Sequence, residues 1–562
     1  MPETQSNMAT RVIDIENQLW SAADQLRANS NLSPQEYSLP VLGLIFLRYA
    51  DFRFGVIERE LAEKARAAEE ARAAVAEEGV EGIYAPRRSS RRILDPKLPY
   101  QARGIMYVPP EARYDYLLNL PESEDVGRAV IDAMRAIERD NSTLRDVLPK
   151  NYNRLSNDTL KTLLKIFNGV PMDIEGDAFG RIYEYFLAEF ARTEGQRGGE
   201  FFTPTSVVRL IVEIIEPYRG LILDPACGSG GMFVQSARFM AEHRQQDGGP
   251  RDVLSIYGQE RVNQTVRLAR MNLAVHGLEG DIKQGNSYYE DPFNLVGRFD
   301  FVMANPPFNV NGVNREDLKG NKRFPFGMPN VDNGNYLWIQ MFYSALNETG
   351  RAGFVMANSA SDARHSELEI RRQLIESGAV DIVVSLSSNF FYTVTLPVTL
   401  WFLDKGKRGT PREDTVLFID ARKIFRQVSR AVRDFTEEQL QFIADLARLY
   451  RGERISLENR VIPVDGGWGS VNTLAELFPD GNYVDVLGLC NAAHRTDIES
   501  QGWSLNPGRY VGFAKDDASE IDFSVRLGEL YEEFQLLTAS AHSMEQEICD
   551  RIDSIFEMSQ QQ

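Results

Sequence analysis

The sequence predicts an α/β protein: an open, mostly parallel sheet preceded by a helical N-terminal domain and followed by a helical C-terminal tail. Three observations carry this. Short apolar runs recur mid-chain at residues 221–224, 254–258, 299–304, 353–357, 380–386, 398–403 and 416–419, several of them separated by helical segments. The chain before them carries its apolar residues at helical spacing, and so does the stretch from Leu527 to Ile555. A length of 562 residues also exceeds what one core usually takes. The texture sets the limits at 1–155, 156–425 and 426–562.

Within the first region, Ile15, Leu19 and Trp20 mark one apolar stripe and residues 39–49 a strongly apolar helix. Residues 56–76 are rich in Ala, Glu and Arg and read as a solvated helix. The break at residues 86–99 carries Arg87, Arg88, Arg91, Arg92 and Lys97, which suits either a solvated loop or a phosphate-contacting one. Ser156 is placed to cap a helix bearing Leu160, Leu163, Leu164 and Phe167, and a second stripe runs through Phe179, Ile182, Tyr183, Phe186 and Phe190. Beyond the sheet region, Thr436 and Gln439 form a capping-box pattern that opens a helix through Tyr450. Residues 456–515 give no clear pattern. The last helix, with Leu527, Leu530, Phe534, Leu537, Ala541, Met544, Ile548, Ile552 and Ile555, suits a coiled-coil seam or packing on its own domain, and partner contact is the preferred reading.

Composition excludes several classes. Hydrophobic residues make up 43% and charged residues 25%, which is ordinary globular composition. The richest apolar run, 39–47, ends at Arg48 and is too short to span a membrane. The N-terminus shows no secretory pattern, and three scattered cysteines (Cys227, Cys490, Cys549) build neither a disulfide framework nor a zinc site. The expectation is a cytoplasmic protein without membrane contact. A formal net charge of −19 argues against a chain that holds nucleic acid alone, because duplex binding rests on Lys and Arg neutralising phosphates.

Five constellations carry chemistry. Asp224-Pro225-Ala226-Cys227-Gly228-Ser229-Gly230-Gly231 follows a strand directly, and its glycines let backbone approach a ligand closely. It lacks the Lys-Ser/Thr ending of a phosphate-gripping loop. Glu260 ends the next strand, where a carboxylate can accept hydrogen bonds from both hydroxyls of a ribose. Asn286 and Ser287 follow the segment Ile282–Gln284. Asn305-Pro306-Pro307-Phe308 follows the strand 299–304; two prolines hold this turn rigid, and Phe308 offers a flat apolar face. Glu200-Phe201-Phe202-Thr203-Pro204-Thr205 precedes the sheet and reads alternatively as a helix-entry turn. A sixth group, Asn389-Phe390-Phe391-Tyr392, suits either a base sandwich or the core.

The glycine turn resembles the cofactor loop of S-adenosylmethionine-dependent amino-methyltransferases, and the order of the motifs resembles their gamma group. The form Gly198-Gly199-Glu200-Phe201-Phe202-Thr203-Pro204, the N-terminal helical domain, Leu505-Asn506-Pro507-Gly508-Arg509-Tyr510-Val511 and the terminal helix together resemble the modification subunit of type I restriction-modification enzymes. The resemblance implies a Rossmann-like catalytic sheet that methylates the N6 amine of adenine in DNA. It implies that residues 200–205 close over the methionine end of the cofactor, with Phe202 stacking on it and Thr203 bonding its carboxylate. Cys227 is then a packing residue, and Asn286 contacts the cofactor adenine where relatives usually carry an acid. The Asn305 side-chain oxygen and the Pro306 carbonyl would draw the target amine toward tetrahedral geometry, with Phe308 against the flipped base. Partners implied are double-stranded DNA, a specificity subunit holding two copies of this chain, and a restriction/translocase subunit; no metal is implied. The alternative acceptors are RNA guanine amines or a protein glutamine.

Overall fold

A computed structural model describes residues 19–25, 34–77, 95–121, 123–170, 178–198, 203–247, 253–329, 333–391, 397–429, 432–455 and 474–512. The terminal helix expected at 527–555, the arginines at 87–92, and Glu200, Phe201, Phe202 and Tyr392 lie outside the described residues.

The N-terminal layer is built on one long helix, α1 (Pro34–Glu77). The sequence reads as two helices here because its burial changes along its length. Residues 37–50 are almost all buried, whereas 58–70 lie nearly all in solvent. The helices α2 (Val126–Asp140), α3 (Asn157–Asn168) and α4 (Ala178–Gly198) pack around the buried part. Ser156 caps α3 by accepting the Thr159 amide at 3.2 Å, and Leu160, Leu163, Leu164 and Phe167 are all buried, as their spacing predicts. Trp20 packs edge-on against Phe186 and Phe190 of α4 at 5.6 and 4.9 Å. Because α3 and α4 turn their stripes to this helical core, the layer extends past residue 155. Gly43 sits where α1 meets residues 149–152: a Cβ there would lie 2.2 Å from the Tyr152 hydroxyl and 2.4 Å from Pro149 Cγ. Gly43→Ala is therefore expected to destabilise the protein by about 1–3 kcal/mol through overpacking, read as a lower thermal midpoint.

The chain then enters the sheet domain. Its strands are β1 (Gly220–Asp224), β2 (Leu254–Glu260), β3 (Gly280–Gln284), β4 (Phe299–Ala304), β5 (Leu346–Ala357), β6 (Val380–Ser385), β7 (Val398–Asp404) and β8 (Thr415–Asp420). A small hairpin of β9 (Arg426–Ser429) and β10 (Val432–Asp434) stands apart, and β11 (Cys490–His494) returns to the main sheet. The nine-stranded order is β11-β8-β6-β7-β5-β4-β1-β2-β3. Strands β3-β2-β1-β4-β5 are parallel, and β7 runs antiparallel between β5 and β6.

Helices cover both faces of this sheet, so its strands are near-continuous apolar runs. One face holds α5 (Thr205–Ile215), α6 (Gly231–Asp247), α7 (Asn263–Val275) and α10 (Glu437–Tyr450); the other holds α8 (Asn335–Ala345) and α9 (Ser366–Glu376). The capping box at Thr436 and Gln439 is formed. Since α10 shares the core of α5, and β11 pairs with β8, the sheet domain continues past residue 425. Tyr510 stacks on Phe418 of β8 at 4.0 Å, which places the 505–511 motif against the sheet. The N-terminal layer is tied to this domain through α7: Met271 and Val275 join the helical core, and Arg267 donates to the carbonyls of Val147 and Leu148 at 3.1 and 2.8 Å.

Candidate active site

Strand order locates the site. Successive connections run outward to opposite sides of β1 and β4, and ligands of open α/β sheets bind outside the carboxyl ends at such a switch point. Strands β1 and β4 are direct parallel neighbours, with Leu223 opposite Val302. The glycine turn and the Asn-Pro-Pro turn therefore leave adjacent strand ends in the same direction. A cavity of about 570 Å³ opens between them, lined by Pro225, Ala226, Gly228, Glu260, Asn286, Ser287, Asn305, Pro306 and Pro307 among others. Its size is that of a site for a nucleoside-sized ligand. A smaller cavity adjoins it, sharing Ala226, Gly228 and Asn305 and adding Thr203, Thr205, Asp224, Ser229 and Gly231.

The glycine turn is a backbone cradle. Gly228 and Gly230 take φ of +51° and +80°, conformations that side chains with a Cβ rarely adopt, and Gly231 opens α6. Glu260 ties this turn to the end of β2: its carboxylate accepts the Gly228 amide at 3.2 Å and the Val262 amide at 2.9 Å. Cys227 is buried, and desolvation, with Asp224 and Glu260 nearby, holds its thiol well above the usual range. It packs; it is no thiolate nucleophile.

Asp224 accepts the Ala226 amide at 2.9 Å and is buried, which pushes its carboxyl up to about 8, with Glu260 adding to the rise. Below that pH the folded carboxyl keeps its proton, while the unfolded one ionises above its ordinary value near 3.8. Unfolding thus releases a proton between those limits, and stability falls as pH rises from about 4 to about 8. Asp224→Asn keeps the acceptor and removes the titration. The stability of this variant relative to wild type is expected to improve steadily across that window and level off above it, measured by chemical denaturation against pH.

Asn286 and Ser287 occupy the loop after β3. The Ser287 hydroxyl donates to the Pro225 carbonyl, joining this loop to the glycine turn. Asn286 Oδ1 accepts the Tyr288 amide at 3.2 Å, which leaves one of its two lone pairs for a ligand. Arg323, only 2% exposed, clamps the loop from below by donating to the carbonyls of Ser287, Tyr288 and Glu290 at 2.7, 2.9 and 3.2 Å. A buried arginine with this role has no sequence signal; it reads as a surface cation. Tyr288 and Trp338 also line the large cavity, 4.9 Å apart between ring centroids, with the Tyr288 hydroxyl and the Trp338 indole N–H both buried. Neither is apparent from motif reading.

The most informative group is Asn305. Its Nδ2 donates to Thr203 Oγ1 at 2.8 Å, while its Oδ1 is buried with no hydrogen-bond partner among the described residues. Leaving a buried acceptor unmade costs about 1–3 kcal/mol, so such an atom in a cavity wall marks a place for a ligand donor. Pro306 is buried, Pro307 is exposed, and Phe308 is half-buried against the core rather than lining either cavity. Pro204 is the N-cap of α5, and Gly230 packs beside Ala269; neither lines either of these two cavities. Phe390 and Phe391 are buried in the core, Phe390 against Phe435 at 4.5 Å, so of their two readings the packing one holds. Lys97 is paired with Asp140 at 2.7 Å. Among the described residues no cluster of His, Cys, Asp or Glu forms a metal site, and no helix is long and apolar enough to cross a membrane.

Residues 174–519 match the family model of N-6 DNA methylases, and residues 15–167 match that of the HsdM N-terminal domain. The chain belongs to the N-6 DNA methylase family. It is a type I modification subunit by sequence and, as an enzyme, a DNA adenine methyltransferase. It is 34% identical over 556 residues to the type I restriction enzyme MjaIX methylase subunit of Methanocaldococcus jannaschii, covering 96% of this chain and 91% of that one. The HindI methylase subunit of Haemophilus influenzae is also 34% identical, over 75% of this chain and 91% of its own. The fold matches the type I methyltransferase subunit from Streptococcus thermophilus with a TM-score of 0.67, at 21% identity over 89% of this chain and 99% of that one.

Proposed function

We propose that this family member transfers a methyl group from S-adenosylmethionine to N6 of an adenine turned out of duplex DNA. The observation that carries the reading is the unpartnered Asn305 oxygen, buried in the wall of a cavity floored by the glycine turn. The cradle fits the cofactor: backbone at Gly228 approaches without a Cβ in the way, and Glu260 is poised for a ribose. Residues 200–205 and Asn286 complete the contacts to its methionine and adenine ends. The cofactor supplies an electrophilic methyl on a sulfonium. The protein does the rest by positioning and electrostatics. Asn305 Oδ1 and the Pro306 carbonyl would accept hydrogen bonds from the two amine hydrogens and free the nitrogen lone pair for in-line attack, in which the N–C bond forms as the S–C bond breaks, S-adenosylhomocysteine leaves and the nitrogen gives up one proton to solvent. The rigid Pro306-Pro307 corner holds those oxygens in place.

The chain acts in the cytoplasm, two copies on one specificity subunit that reads the sequence, with a restriction/translocase subunit joining them. The charge of −19 supports this division, since the partner then supplies attraction for DNA. Residues 1–155 provide partner or DNA contact. Deleting residues 525–562 is expected to weaken assembly, seen as loss of the specificity subunit on co-purification; unchanged co-purification assigns that helix elsewhere. The reading itself is tested by incubating the assembled complex with methyl-labelled cofactor and duplex DNA, then resolving the nucleosides. Label on N6-methyladenine is the expected result, and label on RNA or protein with none on DNA overturns it.

A further inference from the structure

We propose that Thr203 sets the polarity of the catalytic asparagine, so that cofactor binding locks Asn305 with its oxygen toward the target amine. This rests on the function proposed above. An amide side chain has two ends of nearly equal shape and opposite hydrogen-bonding sense. The target amine offers hydrogens, so only the orientation with Oδ1 facing it works; turned over, the amide presents its own N–H groups to the substrate and repels it.

Among the described residues Asn305 has one hydrogen-bonding partner at its side chain, Thr203 Oγ1 at 2.8 Å, contributed from a segment 102 residues away just before α5. In the observed arrangement Nδ2 donates and Oδ1 is left buried and unpaired. A hydroxyl has one proton and two lone pairs. Thr203 enforces this arrangement only while its own proton is committed elsewhere. With that proton directed at Asn305, the amide turns over to accept it, which also relieves the unpaired oxygen. The hydroxyl therefore needs a second acceptor to act as an obligate acceptor toward Asn305.

The position of Thr203 provides for one. It lines the smaller cavity together with Asp224, Ser229 and Asn305, beside the glycine turn. Thr203 would donate its hydroxyl hydrogen bond to the carboxylate at the amino-acid end of a bound cofactor, its lone pairs would then accept the Asn305 amide, and Oδ1 would be fixed toward the substrate. Cofactor occupancy and catalytic polarity are thereby linked through one hydroxyl, and the linkage is reciprocal. Thr203 is a positioning residue toward the reaction, in addition to any contact with the cofactor. Serine preserves both hydrogen-bonding roles; valine preserves shape and removes them.

The test uses the full chain assembled with its specificity partner and compares Thr203→Val, Thr203→Ser and wild type. Cofactor affinity is measured by calorimetry with S-adenosylhomocysteine, and methyl transfer by single turnover at saturating S-adenosylmethionine. Equilibrium binding is compared for duplexes carrying adenine or purine (which lacks the amine) at the target position, with S-adenosylhomocysteine present. Thr203→Val is expected to lose about tenfold or more in single-turnover rate even at saturation, as loss of one preorganised group does, and to lose its preference for adenine over purine. Thr203→Ser should behave as wild type in both. Full recovery of the Thr203→Val rate at saturation, with the adenine preference intact, overturns the proposal and leaves Thr203 as a cofactor contact only. Should valine lower the thermal midpoint, Thr203→Ala reads the same two quantities. Failure of the function reading itself is distinct: there the wild-type complex places no label on DNA adenine.

Discussion

Asn305→Ala is expected to bring methyl transfer to background while cofactor affinity stays near that of wild type. The adenine amine is a poor nucleophile because its lone pair is delocalised into the ring. An acceptor that engages the amine hydrogens as the nitrogen becomes tetrahedral interacts more strongly with the transition state than with the ground state, and only such interactions raise the rate. Removing one preorganised hydrogen-bonding group from a desolvated site costs about 10²–10³ in kcat, and here the same group also orients the base, so a loss of about 10³-fold or more is expected. The alanine variant also removes the unpaired buried oxygen and the bond to Thr203, so its stability should change little or rise. The measurement is single-turnover methylation beside calorimetric binding of S-adenosylhomocysteine. Methylation at the wild-type rate would remove Asn305 from the chemistry. A variant that loses cofactor binding in parallel would make it a cofactor ligand instead.

Much of this site was legible because its parts are local. A glycine turn, a carboxylate at a strand end and an Asn-Pro-Pro corner each fall within a few residues of an apolar run that reads as a strand, and the α/β connection rule places all such turns along one edge. The capping signals at Ser156 and Thr436 were equally local and both formed. What escaped is non-local or contrary to composition. Strand β11 is the short, weakly apolar Cys490–His494; it is a strand because β8 offers an open edge, which no property of residues 490–494 announces. The single helix α1 read as two because burial, not helicity, changes along it. Helices α3 and α4 belong to the N-terminal core although the domain limit read at residue 155 precedes them. Arg323 and the bond between Thr203 and Asn305 depend on segments that meet only in the folded chain.

Glu260→Ala should do the opposite of Asn305→Ala, weakening cofactor binding by about 10²-fold and sparing the rate at saturation. A carboxylate at the end of β2 accepts from two ribose hydroxyls, each hydrogen bond to a charged group being worth about 1.5–3 kcal/mol, where about 1.4 kcal/mol is a factor of ten. Half of the carboxylate's role is internal: it accepts the amides of Gly228 and Val262, so its loss also frees the glycine turn. Glu260→Gln separates the two parts. Its remaining carbonyl oxygen can serve one amide or one hydroxyl, so an intermediate loss of about tenfold is expected. The two ribose hydroxyls change neither bonding nor charge during the transfer, so this binding would be uniform between ground and transition states and would change the half-saturating cofactor concentration more than the maximal rate. Titration with S-adenosylhomocysteine, beside single-turnover rates at saturating cofactor, reads both quantities. Wild-type affinity in Glu260→Ala would take the ribose contact away from β2. A maximal rate that stayed low at saturation would show that the looser glycine turn misplaces the methyl donor relative to Asn305, making the link from Glu260 through Gly228 part of the alignment as well as of the binding.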